Sequence, residues 1–182
     1  QFKPKMSAIL NITPDHLNRH KTMDNYIVAK RRIFENQKRH EYVILNYDNE
    51  ITRTIGEELK SCKPIFFSLN QVLDEGVYVK DGFIYIHDYK NEAPIKVLAT
   101  DQIFILGDHN IENALAATAI AYYTGVSLKS IRKGLKEFKG VEHRIEFVRE
   151  INKIKFYNDS KGTNPEASIK AIKAMNNQTV LI

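Results

Sequence analysis

The feature that most constrains this chain is its alternation of short apolar runs with longer segments of helical period. Ser7-Ala8-Ile9-Leu10, Val43-Ile44-Leu45, residues 64–69, Val97-Leu98 and residues 103–106 are each too short for a buried helix and read as strands. Between and after them, residues 24–38, 51–59, 111–124 and 128–138 carry helical spacing. Gly125 stops the third helix, and Ser127 is a natural N-cap for the fourth. Residues 76–87 read as a hairpin, because Val77, Val79, Ile84 and Ile86 alternate with other residues around an Asp81-Gly82 turn. Alternation of this kind predicts α/β layers: a sheet flanked by helices, with a small antiparallel element.

Gly140 marks a change of character. Residues 145–151 and 154–157 read as strands joined at Asn152-Lys153. The polar loop 158–164 then leads to a helix with Asn164 as N-cap, Pro165 first and Glu166 next. Thr179-Val180-Leu181-Ile182 reads as a strand beginning where the sequence stops. The expected organisation is therefore a first domain over 1–140 and the opening of a second over 141–182. That second piece is too short to bury a good core alone. With no initiator Met and an apolar strand at the end, the chain reads as cut at both ends.

Composition excludes several classes. No apolar run approaches the roughly 20 residues of a membrane helix, and Gln-Phe-Lys-Pro-Lys opens the chain without a signal-like apolar stretch. Cys62 is the single cysteine, which leaves no intrachain disulfide and no multi-cysteine metal site. A cytoplasmic protein, with no membrane partner, is expected. The net charge of +5 invites a nucleic-acid reading. The basic residues are scattered among acids, however, as in Lys30-Arg31-Arg32 followed by Glu35. A solvated basic surface or attraction of phosphorylated small molecules fits better than nucleic acid.

Certain residues stand where chemistry is possible. Lys30 has Tyr26, Ile27, Ile33 and Phe34 at helical offsets, which predicts a lysine centred on an apolar face. Such a lysine either snorkels to water or holds a depressed pKa and an amine free to react. Asp15 and His16 lie in the preceding loop, a weak metal signal by themselves. Gly107-Asp108-His109-Asn110 opens a helix with Asn110 as the expected N-cap and Asn113 one turn on; plain capping competes with anion or nucleotide binding. His143-Arg144 precedes a strand, and 158–164 ends one, where α/β sheets hold ligands. Lys161 and Thr163 there suit a carboxylate or phosphate and Asp159 suits ribose hydroxyls, although a solvated loop is the plainer reading. The chain contains no GxxxxGK[ST] loop and no identifiable nucleophile triad.

Taken in order, NITPDHLNRH (11–20), AKRRIFENQ (29–37), LGDHNIENALAA (106–117), EHR (142–144) and NDSKGTN (158–164) resemble the Mur ligases over essentially the whole chain. The last segment resembles the D-glutamate-adding branch, not the diamino-acid-adding one, where an Asp-Tyr-Ala-His pattern is expected. The resemblance implies a three-domain, ATP-dependent ligase of peptidoglycan precursor synthesis that uses Mg2+. This chain would be the latter part of the central ATP domain and the start of a Rossmann-like amino-acid domain. The implied reaction activates the carboxylate of UDP-N-acetylmuramoyl-L-alanine as an acyl phosphate, which D-glutamate attacks, in an enzyme that is a monomer at full length. By the same resemblance His16 is a magnesium ligand, and Lys30 is carbamylated by CO2 into a second one. Asn110, Asn113, His143, Arg144 and Asp159 contact the nucleotide, and Lys161 and Thr163 serve D-glutamate. Gly162 departs from the alanine more usual in the family. The missing phosphate loop implies that the piece is inactive alone. A sibling amide ligase, such as another muramyl ligase or a folylpolyglutamate synthase, and a non-catalytic nucleotide-binding module are the competing readings.

Overall fold

Strand β2 (Tyr42–Asn46) lies inside the sheet, and its Val43, Ile44 and Leu45 are fully buried. An uninterrupted apolar strand of this kind needs cover on both faces. The computed structural model, which describes residues 2–15, 17–163, 165–175 and 178–182 and not the side chain of Glu166, supplies it. Strand β1 (Met6–Ile9) pairs with β2 in parallel on one side and β3 (Lys63–Ser68) on the other. The sheet continues through β4 (Gly76–Lys80), β5 (Phe83–His87) and β6 (Ile95–Ala99) in simple sequential order, and its last two pairings are antiparallel.

The strand period of two sorts the core. Ile44, Ile65, Phe67, Val77, Ile84 and Ile86 face one side with Leu115 and Ala119 of helix α4 (Asp108–Tyr123) and Ile131 of α5 (Leu128–Glu137). Small Ala114, Ala116 and Ala119 let α4 lie close on the sheet. On the opposite side Val43 and Leu45 meet Ile9, Ile12, Tyr26, Phe34 and Ile55. The elements there are α1 (Leu17–His20), α2 (Met23–Arg31) and α3 (Glu50–Glu58). Beyond α5 the chain forms a separate two-stranded sheet, β7 (Glu146–Ile151) with β8 (Ile154–Asn158), and then α6 (Pro165–Lys173).

Several sequence expectations hold in detail. Asp81 and Gly82 take φ of 49° and 73° in the β4–β5 turn, and Asn152 and Lys153 take 50° and 66° in the β7–β8 turn. Ser127 caps α5 by accepting from Ser130 N. Others fail for identifiable reasons. The helix expected over 24–38 ends at Arg31 and tightens into a 3-10 turn, Arg32–Phe34. Just beyond the turn Gln37 enters the core, where its side chain accepts from Ser7 Oγ and donates to Tyr42 O. Residues 103–106 form no strand, since a 3-10 turn over Thr100–Gln102 redirects the chain, burying Ile103 and leaving Phe104 58% exposed. The N-cap of α4 is Gly107, not Asn110, which lies inside the first turn. Residues 179–182 adopt no strand, and Val180, Leu181 and Ile182 are exposed. The expected cap Asn164 lies outside the described residues.

The β3–β4 pairing was not anticipated. Parallel neighbours ordinarily need a crossover of a dozen or more residues, yet β4 returns beside the end of β3, Phe67 opposite Val77, after a short loop. Gly76 permits this: its φ is +134°, and a Cβ there would collide with the Phe66 carbonyl oxygen. Gly76→Ala should therefore destabilise the fold by about 3 kcal/mol. A denaturant midpoint close to that of the parent protein would show that the close approach is not required.

Candidate active site

A cleft of about 860 Å3 opens beyond the C-terminal ends of the parallel strands, where α/β sheets hold ligands. One wall is the segment from β1 to Asp15. It is fixed partly by Asn49, whose side-chain amide donates to Ile12 O at 3.2 Å while its oxygen caps α3. Lys30 and Ile33 stand beside this wall, Glu112 and Asn113 come from α4, and Arg144, Asp159, Lys161 and Lys170 come from the segment beyond α5.

Lys30 is exposed at the cleft, its ammonium 5.2 Å from the centre of the Tyr26 ring. The expectation of an amine enclosed by apolar neighbours is thus corrected. The switch from α to 3-10 winding after Arg31 increases the turn per residue, which carries Phe34 into the core and away from the lysine's face. A cation over an aromatic face is still stabilised by the ring quadrupole. His16 lies outside the described residues.

Asn110 does not line the cleft. It is buried, and its amide donates to Leu106 O at 2.6 Å and accepts from Asn113 Nδ2 at 3.4 Å. It orients Asn113, which does line the cleft. The Arg144 segment is held by its neighbours: Ile145, at an unusual φ of 46° for a β-branched residue, donates to Asp159 Oδ1 at 3.1 Å. Lys161 N donates to His143 O at 3.0 Å and Gly162 N to Asp159 O at 2.8 Å. The His143 ring instead points to Asn158 and Glu146, with Nδ1 2.9 Å from Asn158 Nδ2, and neither His143 nor Thr163 lines the cleft. The structure therefore brings together Lys30, Asn113, Arg144, Asp159 and Lys161, and leaves Asn110, His143 and Thr163 behind or beside them.

Sequence reasoning assigned no role to His109, Glu112 and Lys170. Burial, then Lys170 and Arg144, push the His109 imidazole below its ordinary value, against Asp159 and Asp108. Burial pushes the Glu112 carboxyl up, aided by Asp48 and Asp108 and opposed by the Asn46 hydrogen bond and Lys170. Glu112 accepts from Asn46 Nδ2 at 3.3 Å across 66 residues of sequence, a pairing with no local signal. His109 did have one, since it sits in the first turn of a helix beside two asparagines.

The Mur ligase middle domain matches residues 1–121 as a family. The chain belongs to the Mur ligase family. It is 56% identical over all 182 residues to the UDP-N-acetylmuramoylalanine–D-glutamate ligase of Thermoanaerobacter sp. (strain X514), of which it covers 39%. It is 55% identical, also over 182 residues and 39% of the relative, to the enzyme of that name from Caldanaerobacter subterraneus subsp. tengcongensis. Among solved structures, MurF from Acinetobacter baumannii superimposes with a TM-score of 0.71 at 26% identity, over 97% of this chain and 38% of that one. The chain thus spans about two-fifths of the length of the curated Mur ligases it matches.

A depressed imidazole favours the neutral form in the folded state. Stability linked to His109 should be full above its unfolded value, near 6.5, and fall as pH drops through the lower folded value. Histidine ring NMR should show one resonance, lost in His109→Asn, titrating below the ordinary range. A His109 midpoint at or above that range would contradict the charge cluster described here.

Proposed function

We propose that this chain acts within a full-length ligase that adds D-glutamate to UDP-N-acetylmuramoyl-L-alanine at the expense of ATP, in peptidoglycan precursor synthesis in the cytoplasm. Residues 1–140 would be the latter part of the ATP-binding central domain, and 141–182 the start of the amino-acid-binding domain. One observation carries this reading: Lys30 and Asn113 share a single cleft with Arg144, Asp159 and Lys161 from beyond residue 140. The identity to relatives named for that reaction supports the choice of substrates.

The cleft suits a polyanion. Lys30, Arg144, Lys161 and Lys170 line it against Asp15, Glu112 and Asp159, and burial raises the Glu112 carboxyl above its ordinary value. Asn113 offers an amide edge to a base, and Asp159 a carboxylate to ribose hydroxyls. Mg2+ fits less completely. Among the described residues no three His, Cys, Asp or Glu side chains cluster for a metal. Phosphate oxygens would supply much of the coordination, with His16 and a carbamate on Lys30 as the protein's ligands. When bound, ATP with Mg2+ supplies the phosphoryl group that activates the acceptor carboxylate. Arg144 and Lys161 offset repulsion among anionic partners, and closure of their segment over the cleft limits hydrolysis by water. Lys30, already exposed at the cleft, is open to CO2, and a carbamate there converts a cation into an oxygen ligand. Lys161 and Thr163 serve the incoming amino acid, while Asn110 and His143 act through Asn113 and Asn158.

The full-length protein should release ADP only when UDP-N-acetylmuramoyl-L-alanine and D-glutamate are both present, and the 182-residue chain alone should release none. Preference for another amino acid would move the assignment to a sibling ligase, and turnover independent of the UDP-sugar would remove it. Lys30→Ala should lower kcat by roughly 100-fold or more. A 13CO2-derived carbamate signal should be present in the parent protein and absent from this variant.

A further inference from the structure

Helix α6 meets the start of α4 at one point. A Cβ on Gly107 would lie 2.7 Å from Ala174 Cβ and 2.9 Å from Cε1 of His109, whose ring folds back over the glycine. Lys170 stands one helical turn before Ala174, whose N–H donates to Lys170 O at 3.0 Å. Residues four apart share a helix face, so the face that docks on Gly107 carries Lys170 next to His109. Both line the cleft, together with Glu112 one turn along α4 and Arg144 opposite. The influence of Lys170 and Arg144 on His109, and of Lys170 on Glu112, agrees with this placement.

We propose that Lys170 and His109 are ligand-binding residues that together grip an anionic group, phosphate or carboxylate, of a molecule occupying the cleft. The proposal rests on the reading of the cleft as the active site. Lys170 supplies a flexible point charge, and His109, in its uncharged form, supplies one ring N–H as donor. His109 itself stands in the first turn of the sixteen-residue α4, where a helix end favours negative charge. Glu112, tied to Asn46, is the counter-charge near Lys170 before the ligand arrives. Because the two residues come from opposite sides of the join, a ligand held by both also fixes α6 against α4.

The test uses the full-length protein and calorimetric titration with three probes: a nonhydrolysable ATP analogue, UDP-N-acetylmuramoyl-L-alanine and D-glutamate. Lys170→Met should weaken one of them about 10-fold, and Lys170→Arg should stay within roughly two-fold of the parent. His109→Asn, or His109→Gln if the first variant is unstable, should weaken the same probe. The probe affected tells whether phosphate or carboxylate is held. Unchanged affinities for all three in either Lys170→Met or the histidine variant, or no rescue by arginine, overturn the proposal. Binding is read apart from turnover. A protein that binds through Lys170 but forms no product discards the ligase reading alone, whereas turnover indifferent to Lys170 discards this inference alone.

Discussion

The contact between Gly107 and Ala174 is the constraint on which the rest of the site depends. With φ of +94° and no side chain, Gly107 lets the end of α6 settle on the start of α4. Any L residue there would face both a left-handed backbone and the Ala174 methyl. Given that contact, the short β7–β8 hairpin before α6 holds Arg144 and Asp159 over the cleft without a large interface. The Ile145–Asp159 and Lys161–His143 hydrogen bonds then set the two segments against each other.

The sheet explains why the cleft lies where it does. The parallel strands β1 to β3 end together, and the chain leaves β2 and β3 through polar residues that satisfy one another. Asn46 accepts from Asp48 N and donates to Glu112; Asp48 accepts from Ser68 Oγ at 2.6 Å and Leu69 N at 2.7 Å. A rim of satisfied polar groups around an apolar sheet is stiff. It lets basic side chains from several elements converge without collapsing onto one another. Lys30 rests over the Tyr26 ring, and Lys170 lies near Glu112, so the cations are held apart.

Much of this was legible in the sequence. The strands at Val43-Ile44-Leu45 and 64–69, the Asp81-Gly82 and Asn152-Lys153 turns, the Ser127 cap and the stop at Gly125 were all set by local chemistry, and the structure keeps them. The site residues lay in short polar segments next to element ends, and Lys30, Asn113, Arg144, Asp159 and Lys161 do converge. What was illegible depends on contacts between distant parts of the chain. The helix after Met23 ends early, and Gln37 beyond it finds partners at Ser7 and Tyr42. Residues 103–106 have strand composition but no strand to pair with. Glu112 reaches Asn46, and Lys170 reaches His109, through packing that no spacing rule contains. The apolar surroundings inferred for Lys30 failed because a regular α-helical period was assumed where the winding changes.

The central proposal is that α4 and the segment beyond residue 140, in contact at Gly107, together form one nucleotide site. The most direct measurement is a crystal structure of the full-length protein with a nonhydrolysable ATP analogue and Mg2+. Density for the nucleoside between Asn113 and the Arg144–Asp159 pair, with α6 still seated on Gly107, is the result this account predicts. A nucleotide bound elsewhere, with Arg144 and Asp159 facing solvent, would contradict it.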